Sequence, residues 1–414
     1  MQKPTLFGYG LTTKAIANKL GGGCTFFDDN CKETYIDENN NTIKPSKEFN
    51  PEESDLEVTT PSLPPQHPLI QSAKNLMSEY DYFLSSHSYL LPPTSYLSKP
   101  FSVWISGTNG KTTTTQMLTH LLEKRGAVSG GNIGTPLADL DRNAPIWVLE
   151  SSSFTLHHTN IASPNIYLLL PITPDHLDWH KTAKAYEADK LKPLLTMKEG
   201  ELALIPKGLN IPNTAAYVVE YDSDAFLCDY FSLESSKLHY KGAFLQDALL
   251  SLAITKVLFD EVNYDLLNNF QRDAHRQEEF NDAKNRLWVN DSKATNLDAS
   301  IQAVKTYADR HIHLILGGDD KGIDLTPLFK EMKTLSLTLY TIGKNNDTLL
   351  TLANAFDIEV IEAKTIDKAI EEIDKRLTEE SIALLSPASA SFDQFKSYKH
   401  RGETFMNIVK DLKK

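Results

Sequence analysis

The stretch Val103-Trp104-Ile105-Ser106-Gly107-Thr108-Asn109-Gly110-Lys111-Thr112-Thr113 decides how the rest of the chain is read. Val-Trp-Ile is a short apolar run of the kind that fills a central parallel strand. Gly107 and Gly110 permit backbone angles that side chains resist, so the chain can wrap closely around a ligand. The turn delivers its amides to a helix N-terminus, where the helix dipole also favours anions. Lys111 adds a positive charge, and Thr112 adds a hydroxyl able to reach a magnesium ion. Strand, glycines, Lys-Thr and helix thus follow the order of a phosphate-binding loop. Only Thr108 and Asn109 separate the glycines, where the common form has four residues. A glycine turn with a solvated lysine is the plain alternative, and the ordered combination argues against it.

A length of 414 residues predicts about three domains. With 41% hydrophobic and 23% charged residues the composition is that of a soluble globular protein. The formal net charge of -13 argues against bulk attraction to nucleic acid. An anionic substrate would therefore need local positive groups such as Lys111. The first residues run directly into a strand-like segment with no apolar leader. No apolar run reads as long enough to span a bilayer. Cys24, Cys31 and Cys228 have neither a metal-like spacing nor an even count. A cytoplasmic protein with reduced thiols is expected, with no nucleic acid partner.

Upstream of the loop, Gly8-Tyr9-Gly10 follows a strand and precedes a helical segment, 14–20, and a second strand ending at Asp28-Asp29. This is the outline of a Rossmann-type βαβ unit, with acids about twenty residues past the glycines. The third glycine of that fingerprint is missing, so a plain strand-turn-helix stays open. If a ligand binds, Gly10, Leu11 and Thr12 would hold a diphosphate, and Asp28 or Asp29 would face a sugar or base edge. An edge strand near Thr42-Ile43, a strand at 58–60, a helix over 72–80 and a strand over 82–84 are also predicted. Prolines at 92, 93 and 100 mark a linker, with a domain boundary near residue 99.

Downstream, a helix is predicted over 112–124 and a loop over 130–136. The apolar strand Ile146–Leu149 ends in Glu150, where a magnesium ligand is expected beside a phosphate loop. A solvated strand-end glutamate is the alternative. A further strand runs into the acid- and histidine-rich segment 171–180, in which His176 is open between metal ligand, polar orienter and no function. Lys190, in a helix over 186–195, reads by pattern alone as a surface lysine. After strands at 201–205 and 216–220 and an apolar helix over 244–260, the second boundary falls near residue 273. Strands at 287–290, 312–316, 337–342, 358–361 and 382–385 then alternate with helices over 297–307 and 366–377. The polar clusters 291–296, 317–322 and 386–395 each follow one of these strands. In an open parallel sheet they would share the carboxyl edge, where ligands bind. The expected fold is α/β in three domains. These are a Rossmann-like N-terminal domain (1–99), a central P-loop ATPase-like parallel-sheet domain (100–272) and a C-terminal Rossmann-like α/β domain (273–414).

Three motifs now stand in one chain: Gly107-Thr-Asn-Gly-Lys-Thr112, Asn290-Asp-Ser-Lys-Ala-Thr-Asn296 and Ser386-Pro-Ala-Ser-Ala-Ser-Phe-Asp-Gln-Phe395. In these the sequence resembles the Mur ligase family of bacterial cell-wall enzymes over essentially its full length, and within it the branch that adds D-glutamate. The resemblance implies an ATP-dependent amide ligase of peptidoglycan precursor synthesis, acting on UDP-N-acetylmuramoyl-L-alanine and D-glutamate through an acyl phosphate. It implies ATP, two Mg2+ ions and a carbamate on Lys190 formed from carbon dioxide, and a monomer. Lys111, His176 and carbamylated Lys190 would be catalytic, with Thr112, Glu150, His176 and Lys190 at the metal. Gly107, Thr108, Asn109, Gly110, Lys111, Thr112, Thr113, His275, Arg276 and Asp291 would bind ATP. Gly10, Leu11, Thr12, Asp28, Asp29, Asn132 and Ser152 would bind the UDP substrate. Lys293, Thr295, Lys321, Ser391 and Tyr398 would bind D-glutamate.

The sequence also departs from the family. The family's Gly-x-His-Asn-x-x-Asn is replaced by Gly242-Ala-Phe-Leu-Gln-Asp-Ala248, so no adenine contact is carried over. Asn30 stands where relatives often have a basic residue, and Thr60-Pro61-Ser62 only loosely matches a Ser-Pro-Gly turn. Folylpolyglutamate synthase, a regulatory ATPase and a dinucleotide oxidoreductase are the competing functions. The motifs at 290–296 and 386–395 and the missing third glycine speak against them.

Overall fold

The computed structural model describes residues 3–85, 100–320 and 322–412. The first sheet holds β1 (Thr5–Phe7), β2 (Thr25–Asp28), β3 (Tyr35–Ile36), β4 (Thr42–Pro45), β5 (Glu57–Thr59) and β6 (Leu76–Met77), in the order β3-β4-β2-β1-β5-β6. All its pairs are parallel except β3 on β4. Leu6, Phe26, Ile43 and Val58 are wholly buried on it, as expected of parallel strands covered on both faces. The helix Leu11–Lys19 starts at Gly10, where Thr13 Oγ1 accepts from the Gly10 amide at 3.3 Å and donates to Gly8 O at 2.6 Å.

The helix predicted over 72–80 and the strand predicted over 82–84 are both corrected. A short helix, Pro68–Ser72, leads to β6, and the helix Glu79–Leu84 follows. Leu76–Met77 pairs with β5, and Ser78 Oγ caps the next helix by accepting from the Asp81 amide at 2.9 Å. Every residue of Glu79–Leu84 is buried, so its sequence carries no amphipathic period to read.

The second sheet holds β7 (Phe101–Ser106), β8 (Ala127–Gly131), β9 (Ile146–Glu150), β10 (Ile166–Leu169), β11 (Leu202–Pro206) and β12 (Tyr217–Tyr221). It is parallel throughout in the order β12-β11-β10-β7-β9-β8. The loop predicted at 130–136 begins inside β8, whose glycines pair along β9. Helix Glu79–Leu84 ties the first sheet to the second. Tyr80 packs edge-on to Trp104 at 4.7 Å and donates to Glu150 O at 3.1 Å. The buried Asp81 carboxylate accepts from the amides of Asn160, Ile161 and Ala162 at 2.8, 2.8 and 2.7 Å. Each such bond to a charged group contributes about 1.5–3 kcal/mol, and orphaned amides cost more. Asp81→Ala is therefore expected to destabilise the protein by about 3 kcal/mol or more, measured by urea unfolding. A loss near zero would remove this account of the junction.

The third sheet holds β13 (Glu278–Asn281), β14 (Leu287–Asn290), β15 (Ile312–Gly317), β16 (Leu337–Ile342), β17 (Val360–Lys364) and β18 (Ile382–Leu385), in the order β13-β14-β18-β15-β16-β17. Only β13 is antiparallel. Neither β13 nor the helices Thr326–Met332 and Asn346–Phe356 were among the predicted elements. Glu278–Asn281 is polar and half-exposed at an edge, so it lacks a strand's apolar signature.

The chain divides into two compact units, Met1–His239 with Leu245–Asn269, and Tyr240–Phe244 with Phe270–Lys414. The expected boundary at residue 99 lies outside the described residues. The sequence expectation about apolar runs also needs correction. Among the described residues one helix, Gly242–Phe259, with 18 residues and mean hydropathy 1.4, is long and apolar enough to cross a membrane. Its stretch Asp247–Thr255 is buried without a break, which accounts for its hydropathy as protein core.

Candidate active site

The phosphate loop joins β7 to the helix Lys111–Leu122. Gly107 has φ 146° and Gly110, the N-cap, has φ 81°. A Cβ on Gly107 would lie 2.5 Å from Leu170 Cβ, and one on Gly110 would lie 2.7 Å from Asp247 Oδ1. Both glycines are thus fixed by backbone angle and by close approach. Thr108 pins the loop to the segment after β10. Its amide donates to Pro171 O at 3.1 Å, and its Oγ1 exchanges bonds with Thr173 O and the Thr173 amide, each 2.9 Å.

Lys190 is the largest correction to the pattern reading. It is 1% exposed, not a surface residue. Its Nζ donates to Gly107 O at 2.7 Å and to Ser106 Oγ at 3.3 Å. Lys111 Nζ donates to the same Gly107 O at 3.0 Å and to Thr108 O at 2.7 Å. Two lysine side chains therefore converge on one carbonyl. Burial, and then the charge of Lys111, hold the Lys190 amine well below the usual lysine range, against the pull of Asp175, Asp189 and Glu150. The helical pattern missed this because the face of Ala183–Leu191 that carries Lys190 also carries the buried Tyr186, whose ring lies 4.8 Å from the Lys190 Nζ.

Glu150 ends β9 with 2% exposure. Its Oε1 accepts from Asn132 Nδ2 at 2.6 Å, and its Oε2 is buried with no hydrogen-bond partner. An orphaned carboxylate oxygen is costly unless something positive meets it. A hard oxygen beside a phosphate loop with a threonine hydroxyl suits a magnesium ion. The residues present therefore fit that ion. Among the described residues no group of three or more His, Cys, Asp or Glu side chains could hold a metal, so the protein's share of such a site is small. His176 has a left-handed backbone (φ 52°), a side chain 49% exposed, and a ring 4.8 Å from that of Phe154.

A network that the sequence reading missed surrounds this corner. Asp189 accepts from His157 at 2.9 Å and from His180 at 2.8 Å, and the other nitrogen of His180 meets Ser153 Oγ at 2.9 Å. It braces the helix carrying Lys190 against the helix that follows Glu150. The only sequence signal was two histidines and an acid, without a spacing rule.

A cavity of about 160 Å³ lies between the first two sheets. Leu11, Thr12 and Asn132 line it together with Pro61, Tyr80 and Thr155. Ser152 caps the helix Ser153–His158 by accepting from the Thr155 amide at 3.1 Å. Asp28 accepts from the amides of Tyr9 and Asn30 at 2.7 and 2.8 Å. Asp29 accepts from Ser46 Oγ and from His67 at 2.9 Å. Both acids thus shape their loop as well as facing outward from it.

In the second unit, the polar clusters after β14, β15 and β18 do meet. Asp291 N donates to Leu385 O at 2.8 Å, Gly317 N to Pro387 O at 3.1 Å, and Asp319 and Ala390 exchange amide bonds at 3.0 Å. Asp291 is buried and accepts from Ser386 Oγ at 2.8 Å and the Gln277 amide at 3.2 Å. Burial pushes its carboxyl up to about 7. His275 lies against Gly402, where a Cβ would approach its Nδ1 to 2.4 Å, and accepts from Asn290 Nδ2 at 2.8 Å. Arg276 reaches Asp273 at 4.0 Å. Lys293 Nζ sits 4.1 Å over the Tyr398 ring, Thr295 is exposed and Ser391 is buried. Lys321 lies outside the described residues. Asn345 was not singled out in the sequence. It accepts from the Gly318 amide at 3.0 Å and donates to Asp320 Oδ2 at 2.8 Å, clamping the glycine loop.

The sequence profile of the Mur ligase middle domain matches residues 105–241, and that of the Mur ligase glutamate ligase domain matches residues 275–389. The UDP-N-acetylmuramoylalanine–D-glutamate ligase of Campylobacter jejuni (strain 81-176) is 47% identical over 99% of this chain and 100% of its own length. The ligase of that name from Helicobacter pylori (strain J99) is 44% identical over 98% and 99%. Among solved structures, MurF from Acinetobacter baumannii matches with TM-score 0.57 at 16% identity, over 76% of this chain and 78% of that one. The UDP-N-acetylmuramate–alanine ligase MurC from Thermotoga maritima matches with TM-score 0.53 at 16% identity, over 98% and 99%. These two likenesses concern the fold. The full-length identity to the named ligases, with both domain profiles, decides the family: the chain belongs to the Mur ligases.

Proposed function

We propose that the protein joins D-glutamate to UDP-N-acetylmuramoyl-L-alanine at the expense of ATP, in the cytoplasmic synthesis of peptidoglycan precursors, and acts as a monomer. The observation that carries this is the 44–47% identity to ligases of that name across essentially the whole chain. On this reading 1–99 would bind the UDP substrate, 100–272 would bind ATP, and 273–414 would bind D-glutamate and complete the ATP site.

The chemistry assigns each residue a task. A carboxylate cannot be amidated directly, because its oxygen is a poor leaving group. Transfer of the terminal phosphoryl group of ATP to the L-alanyl carboxylate gives an acyl phosphate. The amine of D-glutamate then attacks its carbonyl carbon, and phosphate leaves as the C–N bond forms. The loop amides and Lys111 would hold the phosphates and meet charge that develops during transfer. Gly10, Leu11, Thr12, Asn132 and Ser152 would seat the UDP substrate around the cavity, with Asp28 and Asp29 at the sugar or base edge. His275, Arg276 and Asp291 would complete the ATP site, and Lys293, Thr295, Lys321, Ser391 and Tyr398 would hold the amino acid. Thr112, Glu150, His176 and carbamylated Lys190 would hold magnesium, two ions in all, which when bound neutralises phosphate charge and orients the phosphates. Lys190 donates to Gly107 O of the phosphate loop, and the charge of Lys111 acts on His176, which supports this reading.

The deciding measurement is phosphate release from ATP with UDP-N-acetylmuramoyl-L-alanine, with and without D-glutamate. Release that depends on both substrates is expected. Release indifferent to D-glutamate would overturn the reading.

A further inference from the structure

We propose that Arg401 is a positioning residue for the amine acceptor. It joins the three loops at the carboxyl edge of the third sheet and so sets the geometry of the D-glutamate pocket. The inference rests on the reading of those loops given above. Arg401 lies in the C-terminal helix Tyr398–Lys410 and is 1% exposed. Its guanidinium reaches into the sheet edge and not into solvent. Nε donates to Ser292 Oγ at 3.0 Å and Nη2 to Ser292 O at 2.9 Å. Nη1 and Nη2 both donate to Ser389 O at 3.1 Å. Thus one planar fork closes on the loop after β14 and the loop after β18.

The third loop comes with them. Ser389 is flanked by Pro387, which accepts from Gly317, and by Ala390, which exchanges both amide bonds with Asp319. A Cβ on Gly318 would lie 3.4 Å from Arg401 Nη1. The glycine there, with φ 145°, is required by the Ala390 carbonyl, which a Cβ would approach to 2.4 Å, so the loop after β15 lies against the loop that Arg401 holds. Ser292 Oγ, besides accepting from Arg401, donates to Tyr398 O at 2.8 Å. Lys293 follows Ser292 in sequence, and Ser391 lies two residues past Ser389. Four of the residues assigned to D-glutamate, namely Lys293, Thr295, Ser391 and Tyr398, therefore hang on segments that this one side chain fixes.

The charge supports the same role. All four of its hydrogen bonds go to neutral oxygens, and burial lowers the guanidinium to about 10, with Asp393 opposing. A buried cation without a carboxylate in contact is costly. It is retained here where a dicarboxylate is to bind, and its field adds to that of Lys293. An apolar residue of similar length would fill the space but leave two carbonyl acceptors and a hydroxyl unmet.

The test separates positioning from folding. Arg401→Met is expected to lower kcat/KM for D-glutamate by about 10²-fold, mainly through KM, with KM for ATP and for the UDP substrate unchanged. Arg401→Lys keeps the charge but loses the fork, and an intermediate loss in the same constant is expected. Ser292→Ala removes the Nε acceptor and the link to Tyr398 while sparing Arg401. A smaller loss, again confined to D-glutamate, is expected, and this variant decides the matter if the Arg401 variants do not fold. An unchanged KM for D-glutamate in the folded variants would overturn the proposal. So would activity lost only in proportion to the folded fraction by circular dichroism. If the wild-type protein shows no D-glutamate-dependent phosphate release, the reading of the active site fails first, and that outcome is visible before any variant is made.

Discussion

Lys190→Met is expected to lower turnover by about 10³-fold while ATP still binds. Methionine matches the length of the buried stem and packs without a polar atom to satisfy, so the fold should survive. What it removes is an amine with an unusual environment. Lys190 and Lys111 both donate to Gly107 O, at 2.7 and 3.0 Å, and Lys190 is buried. Burial and the neighbouring ammonium favour the uncharged amine. That is the form able to attack carbon dioxide. On the proposed reading the N–C bond would form, the nitrogen would give up a proton, and a carbamate anion would stand where a second cation otherwise could. Such an anion would attract Lys111 and would add a negative ligand to Glu150, His176 and the loop hydroxyl proposed for the metal. Losing several kcal/mol of charge stabilisation at about 1.36 kcal/mol per decade gives the stated magnitude. The measurement pairs phosphate release with nucleotide binding by calorimetry, and adds a comparison of wild-type activity in carbon dioxide-depleted and bicarbonate-supplemented buffer. Wild-type turnover in Lys190→Met would end the assignment. Equal activity in the two buffers would remove the carbamate alone.

Glu150→Gln should cost about 10²–10³-fold in turnover by the same arithmetic, with little loss of stability. Glutamine can still accept from Asn132 through its carbonyl oxygen, preserving the 2.6 Å contact seen for Oε1. Its amide nitrogen takes the place of the orphaned Oε2. The substitution therefore removes a buried carboxylate oxygen that has no hydrogen-bond partner among the described residues, a change that on packing grounds alone is neutral or stabilising. The expected signature is a raised magnesium requirement for phosphate release beside an unchanged or higher urea midpoint. Normal magnesium dependence would show that the orphaned oxygen has another purpose.

The two variants also mark how differently the site could be read in the sequence. Glu150 was legible because it ends an apolar run, and the carboxyl end of a parallel strand is where such sheets bind ligands. Lys190 was not, because its neighbours in sequence, Asp189 and Lys192, are charged residues of the kind that usually face water. Its amine reaches Ser106 and Gly107 at the end of β7, and its carbonyl accepts from Tyr167 of β10 at 2.5 Å. Asp189 with His157 and His180, and Asn345, were missed for a related reason. Each acts on groups remote in sequence, so no local spacing announces it. Arg401 belongs with them, more than a hundred residues from Ser292.

The sequence by itself determined the alternation of apolar strands and helices, the phosphate loop, and the three polar clusters after strands of the third sheet. All are local patterns, set by backbone freedom at glycines and by continuous apolar runs. It misread 72–84 and overlooked β13, where burial on every side or exposure at an edge erases the periodicity. Only the tertiary structure decided that two lysines share one carbonyl, that one oxygen of Glu150 is left without a partner, and that three loops close on a single guanidinium. Those facts depend on sheet order: β7 lies between β9 and β10, and β18 between β14 and β15. Strand order is fixed by which faces bury best against each other, a long-range choice that short-range pattern does not encode.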